Sequence, residues 1–192
     1  MTTITILAGG VGGARFTRGL LAHLRTADPS ASVTVVANTG DDLWLAGLRV
    51  CPDLDSIMYT LGGANDDERG WGRKGESERV SAELAAYGVG WPWFTLGDLD
   101  LGTHIARSAW LREGLPLSEA TARLAVRWNL GMSLLPATDD EVETIVTVAA
   151  DDDGSSPTVE MHFEEWWVRL RASRPALAFT QRNVAASRPA PG

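Results

Sequence analysis

Short stretches of this chain carry residue types suited to phosphate and metal chemistry. The run Gly9-Gly10-Val11-Gly12-Gly13 stands directly before Ala14-Arg15. Glycines let a backbone come close to a phosphate. Where such a turn opens a helix, the first amides lack partners and carry the positive end of the helix dipole. Gly9, Gly10, Gly12 and Gly13 are therefore candidates for cradling a diphosphate, with Arg15 placed to add a charge-assisted contact. The run matches only part of the dinucleotide fingerprint, because Arg15 stands where a third glycine is expected, and it lacks the Lys-Ser/Thr of a P-loop. The plain alternative is a tight strand-to-helix turn with no ligand.

Acidic residues form the complementary set. Asn38-Thr39-Gly40-Asp41-Asp42 follows a β-branched run. Asp41 and Asp42 are candidate ligands for Mg2+, which binds through one or two carboxylates plus a ligand's phosphate oxygens. Asx turns at Asn38 and Asp41 are the bland account. Pro52-Asp53-Leu54-Asp55 offers a second pair. In an extended segment residues i and i+2 point to one side, so Asp53 and Asp55 would share a metal or a hydroxyl. Equally, Asp53 is an N-cap with Asp55 in the first helical turn; both readings hold if that helix begins at the rim of the site. Asp98 and Asp100 repeat the spacing, with Thr103 and His104 close behind. Capping of the next helix is the default reading there. Asp151-Asp152-Asp153-Gly154 reads as a solvated turn. Trp166 and Trp167 suit packing, while Trp44, Trp71, Trp91 and Trp93 lie in loop-like text where a ring could stack.

These residues need elements to position them. Thr3 to Ala8 reads as a short buried strand, and Phe16, Leu20, Leu21 and Leu24 form a helical stripe. Asp28-Pro29-Ser30 breaks that helix, and Val33 to Ala37 is a second strand. Strand, helix, strand in this span predicts a βαβ unit with parallel strands. Neighbouring strands lie about 4.8 Å apart. The glycine turn and Asn38-Asp42 would then emerge on one carboxyl edge, where open α/β sheets bind ligands. A loop is expected from Asn38 to Asp55, then a helix from Ser56 to Leu61. A polar loop from Gly62 to Gly75 should follow, then helices at Ser77 to Tyr87, around Leu101 to Ala109, and over Leu117 to Trp128. Strands return at Met132 to Leu135, Glu141 to Val148 and Thr158 to Phe163, with a short helix through Trp166 and Trp167. The fold class expected is α/β, a Rossmann-like three-layer core with a parallel sheet. It forms one domain over 1–172 with a helical insert at about 62–130. The Ala/Arg/Pro/Ser-rich 173–192 is expected to be an irregular tail.

Composition narrows the partners. The chain has 192 residues, 44% hydrophobic and 22% charged, with a formal net charge of -8. That balance suits one soluble domain and argues against a broad surface for nucleic acid or anionic membrane. Cys51 is the single cysteine, which rules out an internal disulfide and points to a reduced, cytoplasmic setting. The first residues lack the basic and long apolar regions of a signal peptide, and no run of about 18 apolar residues is present to span a membrane.

Taken together, the segments resemble the 2-phospho-L-lactate transferase family. The resemblance rests on Leu7-Ala8-Gly9-Gly10-Val11-Gly12-Gly13-Ala14-Arg15-Phe16, Asn38-Thr39-Gly40-Asp41-Asp42-Leu43-Trp44 and Cys51-Pro52-Asp53-Leu54-Asp55. It extends to Tyr59-Thr60-Leu61-Gly62-Gly63, Arg69-Gly70-Trp71-Gly72, Leu96-Gly97-Asp98, Thr103-His104, Leu135-Pro136-Ala137-Thr138-Asp139-Asp140 and His162-Phe163-Glu164-Glu165-Trp166-Trp167. The bacterial, enolpyruvyl-using branch is the most similar. The resemblance implies a magnesium-dependent, usually homodimeric enzyme of coenzyme F-420 synthesis. Its donor is guanosine diphosphate carrying lactyl or enolpyruvyl, its acceptor the ribityl hydroxyl of the deazaflavin riboside, and GMP leaves. Gly9, Gly10, Gly12, Gly13, Arg15, Asn38, Thr39, Asp98 and His104 would bind substrate. Asp41, Asp42 and Asp53 would hold Mg2+, and Asp53 or Asp55 would orient or deprotonate the hydroxyl. Many relatives have a basic residue where this chain has Leu99. Relatives also continue past this length with Ser-Asn-Pro and Ser-Ile-Gly segments that complete the nucleotide site, which implies a chain incomplete at its C-terminal end. A non-catalytic nucleotide-sugar-binding regulator of the gluconeogenesis-factor type is the main alternative, and a nicotinamide oxidoreductase the third.

Overall fold

The computed structural model describes residues 1–150 and 157–191, so the acidic turn expected at Asp151-Asp152-Asp153-Gly154 lies outside the described residues. β1 (Thr3–Ala8) leads into α1 (Gly10–Ala27) and back to β2 (Ser32–Ala37). A hairpin of β3 (Leu43–Leu45) and β4 (Leu48–Val50) precedes α2 (Pro52–Leu61). The helical insert holds α3 (Arg79–Ala86), α4 (Asp98–Arg112) and α5 (Leu117–Ala125). β5 (Ser133–Pro136), β6 (Glu143–Ala149), β7 (Thr158–His162) and β8 (Ala176–Arg182) complete the chain, with a single wide helical turn at Glu165–Arg169 between β7 and β8.

The expected βαβ unit is present. β1 and β2 are parallel, with Thr3 opposite Ser32 and Ala8 opposite Ala37. β5 joins β2 in parallel on its other side, giving the order β1-β2-β5. One face of this sheet packs Ile6, Ala8, Val35, Ala37 and Leu134 against Ala14 of α1, Leu54, Ile57 and Met58 of α2, and Leu117 of α5. Leu54, Ile57 and Met58 are essentially fully buried, and burial of such a side chain stabilises by roughly 1.5–3 kcal/mol. α1 comes so close to β1 that a Cβ on Gly13 would lie 2.8 Å from that of Ala8. Gly13 thus does the packing job expected of the missing third glycine.

Two expectations are corrected. The stretch from Asn38 to Asp55 is not all loop. Ala46 and Gly47, both at positive φ, turn a hairpin that buries Leu43, Leu45 and Val50, the geometry of a two-residue hairpin turn. The region 173–192 is not an irregular tail either. β8 pairs antiparallel with β6, Glu143 opposite Arg182 to Val148 opposite Ala176, and β7 takes the other side of β6. β6 supplies a complete ladder edge that Ala176–Arg182 satisfies, with Leu177 and Phe179 on one side of the strand.

Candidate active site

The ends of β1 and β2 are level, and Asn38 N–H donates to Ala8 O across them at 2.9 Å. Gly9 and Asn38 therefore leave the sheet side by side. Gly9 caps α1 with extended backbone and has no side chain to satisfy the first amides. The Asp53 carboxylate does so instead, accepting from Gly10 N–H. A Cβ on Gly9 would lie 3.0 Å from Asp53 Oδ2, and Gly10 has φ +56. Position 10 favours glycine for its backbone, and a Cβ on Gly9 would press on the Asp53 carboxylate. Asn38 Nδ2 bridges two carboxylates, donating to Asp41 Oδ2 at 3.1 Å and to Asp53 Oδ2 at 2.8 Å. Its Oδ1 accepts from Gly40 N–H at 3.0 Å, so the Asx turn and the acidic cluster coexist. The glycines and the aspartates thus meet on one rim.

Glu164, 8% exposed, lies near enough to Asp41 and Asp53 to feel their charges. Burial, then the nearby charges of Asp41 and Asp53, push its carboxyl up to about 7. Burial and Asp53 raise Asp41 to about 6, against the bridging amide of Asn38. Asp53 is raised by burial too. Like charges crowded in a partly dry site destabilise one another unless a cation joins them, and an all-oxygen carboxylate set is the donor type magnesium prefers. Glu164 follows β7 and precedes the wide turn. In sequence, Glu164 falls within the family-like His162-Phe163-Glu164-Glu165-Trp166-Trp167 segment, which marks the stretch but assigns Glu164 no role.

Asp55 faces a different cluster. Asp53 and Asp55 share the first turn of α2, whose N1 position is Pro52. At about 100° per residue they point roughly opposite ways, which rules out the extended, same-side pairing. Asp55 is paired with Arg107 through both oxygens. Arg107 NH1 also reaches His104 Nδ1 at 3.2 Å. A guanidinium only donates, so Nδ1 is the acceptor and the ring proton sits on Nε2, 3.3 Å from Asp100 Oδ2. Tyr59 donates its hydroxyl to Asp100 Oδ1 at 2.6 Å. Burial opposes Asp100's charge, yet His104 and Tyr59 hold its carboxyl below the usual range. Asp55, Asp100 and His104 lie close enough to suggest a metal site, their ligand atoms all within 4.8 Å. Arg107 already places a cation beside them.

A cleft of about 380 Å³ runs from the Asp55 cluster to Glu164. Asp55, Asp100, His104 and Glu164 line its polar side; Trp71, Trp93, Phe94 and Trp167 line the aromatic side. Trp71 carries the Arg69 guanidinium 3.9 Å from its ring centre. Trp44 instead donates to Glu141 at 2.9 Å, outside the cleft. Arg15 stands on an adjoining groove with Val11, Ser56 and Tyr59.

Other expected positions are corrected. Asp42 points inward, fully buried, with Oδ2 3.4 Å from Arg49. The hairpin turns it away from the rim, and burial raises its carboxyl to about 7 despite Arg49; it is not at hand for a metal beside Asp41. Asp98 is committed elsewhere, accepting from Ser77 Oγ and from Val80 N–H at the start of α3. Thr39 is buried in the turn. Apart from its neighbours and its own helix backbone, nothing lies within 4 Å of where a Cβ on Gly12 would be, so tertiary packing does not explain it.

A parallel sheet whose glycine-rich strand-to-helix turn faces clustered carboxylates places the chain in the Rossmann-like α/β class. Within that class the chain belongs to the CofD family, whose model, described as 2-phospho-L-lactate transferase CofD, matches residues 4–191. It is 53% identical over 189 residues to a phosphoenolpyruvate transferase of Streptomyces coelicolor, covering 98% of this chain and 57% of that protein. The phosphoenolpyruvate transferases of Thermobifida fusca, at 53% over 193 residues, and of Mycobacterium avium, at 49% over 191, are similar over 59% and 56% of their lengths. The chain thus spans somewhat over half of the relatives it matches. A solved member of the UPF0052 family from Bacillus halodurans shares the fold, with a TM-score of 0.55 at 15% identity over 99% of this chain and 53% of that one. Among the described residues no helix is long and apolar enough to cross a membrane.

Proposed function

We propose that this chain carries the donor and acceptor rim of a cytoplasmic transferase. In this reading it moves a phosphoenolpyruvyl group, or 2-phospholactyl in the alternative, from a guanosine-diphosphate-linked donor. The acceptor is the ribityl hydroxyl of the 8-hydroxy-5-deazaflavin riboside, as in coenzyme F-420 synthesis. The hydroxyl oxygen attacks the outer phosphorus, the bond from that phosphorus to the bridging oxygen breaks, and GMP leaves with that oxygen. Such transfers need positioning and charge neutralisation rather than a covalent intermediate. The observation that carries the reading is the meeting of Gly9 and Gly10 with Asn38, Asp41 and Asp53, with Glu164 of the aromatic-walled cleft within reach of their charge.

In this mechanism the Gly10 to Gly13 backbone receives the diphosphate and Arg15 supports it. Asp41, Asp53 and Glu164 would hold Mg2+, which would supply charge neutralisation on the diphosphate. Trp71 gives the flat deazaflavin a face to stack on. Glu164, which lines the cleft, or Asp53 on the adjoining rim would take the hydroxyl proton in place of a role at the ion. Asp55 is engaged by Arg107 and serves as an anchor rather than the base. A donor-dependent assay tests the reading: purified chain, Mg2+ and deazaflavin riboside with each guanosine-diphosphate donor, products resolved by mass. Formation of the phosphodiester with GMP release supports it. Calorimetry showing preference for sugar nucleotides over guanine nucleotides would favour the regulator of the gluconeogenesis-factor type instead.

A further inference from the structure

Trp71 reaches the cleft on the segment between α2 and α3. Lys74 N–H donates to Ala64 O at 2.9 Å, and Asn65 bridges Arg73, so the segment doubles back on itself. Trp71 stands at its outer end between Gly70 and Gly72, which have φ +81 and +72. Glycines on both sides leave such a turn much conformational freedom, and Trp71 itself is 44% exposed. Two residues tie the turn to α4. The Arg73 side chain is buried and donates to Leu99 O at 3.1 Å. Glu76 holds both sides at once. One of its carboxylate oxygens accepts from Arg73 N–H at 2.8 Å, and the other accepts from Asp100 N–H at 3.0 Å. A single carboxylate thus joins the Trp71 turn to the first turn of α4, where Asp100 lines the cleft.

The chain around Glu76 is shaped for that carboxylate. Gly97 caps α4 and has no side chain to satisfy its first amides. Ser77 O accepts from Asp98 N–H at 2.7 Å, and Glu76 takes Asp100 N–H, which sets a negative group at the positive end of the helix. A Cβ on Gly97 would overlap the Glu76 carboxylate, and one on Gly72 would lie 2.7 Å from its Oε1. Two glycines on different segments therefore clear room for one side chain. We propose that Glu76 is a positioning residue that holds Trp71 as a fixed wall of the cleft, in register with Asp100 and His104. A wall already in place binds a flat ring without first losing the freedom of the turn. The identity of that ring rests on the function proposed above; the fastening does not.

Hydrogen exchange and ligand binding test this on the full chain, at a temperature where circular dichroism shows every variant folded. In Glu76→Ala the amides of Gly70, Arg73 and Asp100 should exchange roughly tenfold faster. Gly97→Ala should do the same, because its methyl displaces the carboxylate. The double variant should exchange no more than about twofold faster than either single, since both substitutions remove one clasp. Glu83→Ala, which removes a charge from the exposed face of α3, should change nothing. The dissociation constant for the deazaflavin riboside, read by tryptophan quenching, should rise roughly tenfold in Glu76→Ala while that for GDP stays within about twofold. Unchanged exchange in Glu76→Ala, additive effects of the two substitutions, or equal weakening of riboside and GDP would each overturn the proposal. A wild-type chain that binds no riboside would count against the acceptor named above, and the exchange cycle alone would then decide for or against the clasp.

Discussion

Arg107→Met isolates the buried anchor beneath the cleft. The Arg107 side chain is 1% exposed and its partner Asp55 7%. Its guanidinium satisfies both Asp55 oxygens and reaches the Arg49 carbonyl and His104 Nδ1, each at 3.2 Å. Methionine keeps the length and apolar stem but strands the carboxylate. Removing one member of a buried pair costs about 3–5 kcal/mol. With a urea slope of about 2 kcal/mol per M for a domain of this size, the midpoint should fall by roughly 1.5–2.5 M. Urea unfolding followed by both fluorescence and circular dichroism measures it, coincident curves licensing the two-state reading. Asp55→Leu combined with Arg107→Met should recover most of the loss, because a matched apolar pair removes the uncompensated charge. A single-variant shift below about 0.5 M, or a double variant no better than the single, would refute the assignment of Asp55 as an ion-paired anchor.

The glycines separate packing from ligand roles. Gly12→Ala meets nothing beyond its neighbours and its own helix backbone and should raise helix stability by about 0.5–1 kcal/mol while weakening binding of GDP, read by thermal melting and calorimetry. Gly13→Ala meets Ala8 Cβ at 2.8 Å and should cost about 1–3 kcal/mol in the same melts. The acidic rim makes a pH prediction. Asp41 at about 6 and Glu164 at about 7 lie above their ordinary 3.8 and 4.5. The folded state therefore binds more protons than the unfolded between those values, and stability from these groups falls as pH rises from about 4 to 7. Without divalent cation, urea midpoints should drop more between pH 5 and 7.5 in the wild type than in Asp41→Asn with Glu164→Gln. Added Mg2+ at pH 7.5 should raise the wild-type midpoint and leave that double variant unmoved; an equal response of both would contradict the ion site.

Local pattern made much of this protein legible. The β1-α1-β2 unit was readable because apolar period, glycine turn and Pro29 breaker all act over a few residues. Convergence of Gly9, Asn38, Asp41 and Asp53 followed from one rule, that adjacent parallel strands end on one edge. The β3–β4 hairpin is hidden in sequence because Ala46-Gly47 is a weak turn signal, and β8 because the short Leu177/Phe179 alternation sits in an Ala/Arg/Pro/Ser-rich stretch and becomes a strand only where β6 offers it a ladder.

By itself, then, the sequence determined the α/β class, the glycine requirement at the rim and the acids from which a cation site is drawn. These depend on residue type and short spacing. Only the tertiary structure decided which acids face the rim. Asp42 turns inward to Arg49, Asp55 is taken by Arg107 from α4, and Glu164 arrives from the other end of the chain. Side-chain direction depends on where each helix begins and what packs against it, and charge pairing across 52 residues, as between Asp55 and Arg107, leaves no trace in local spacing.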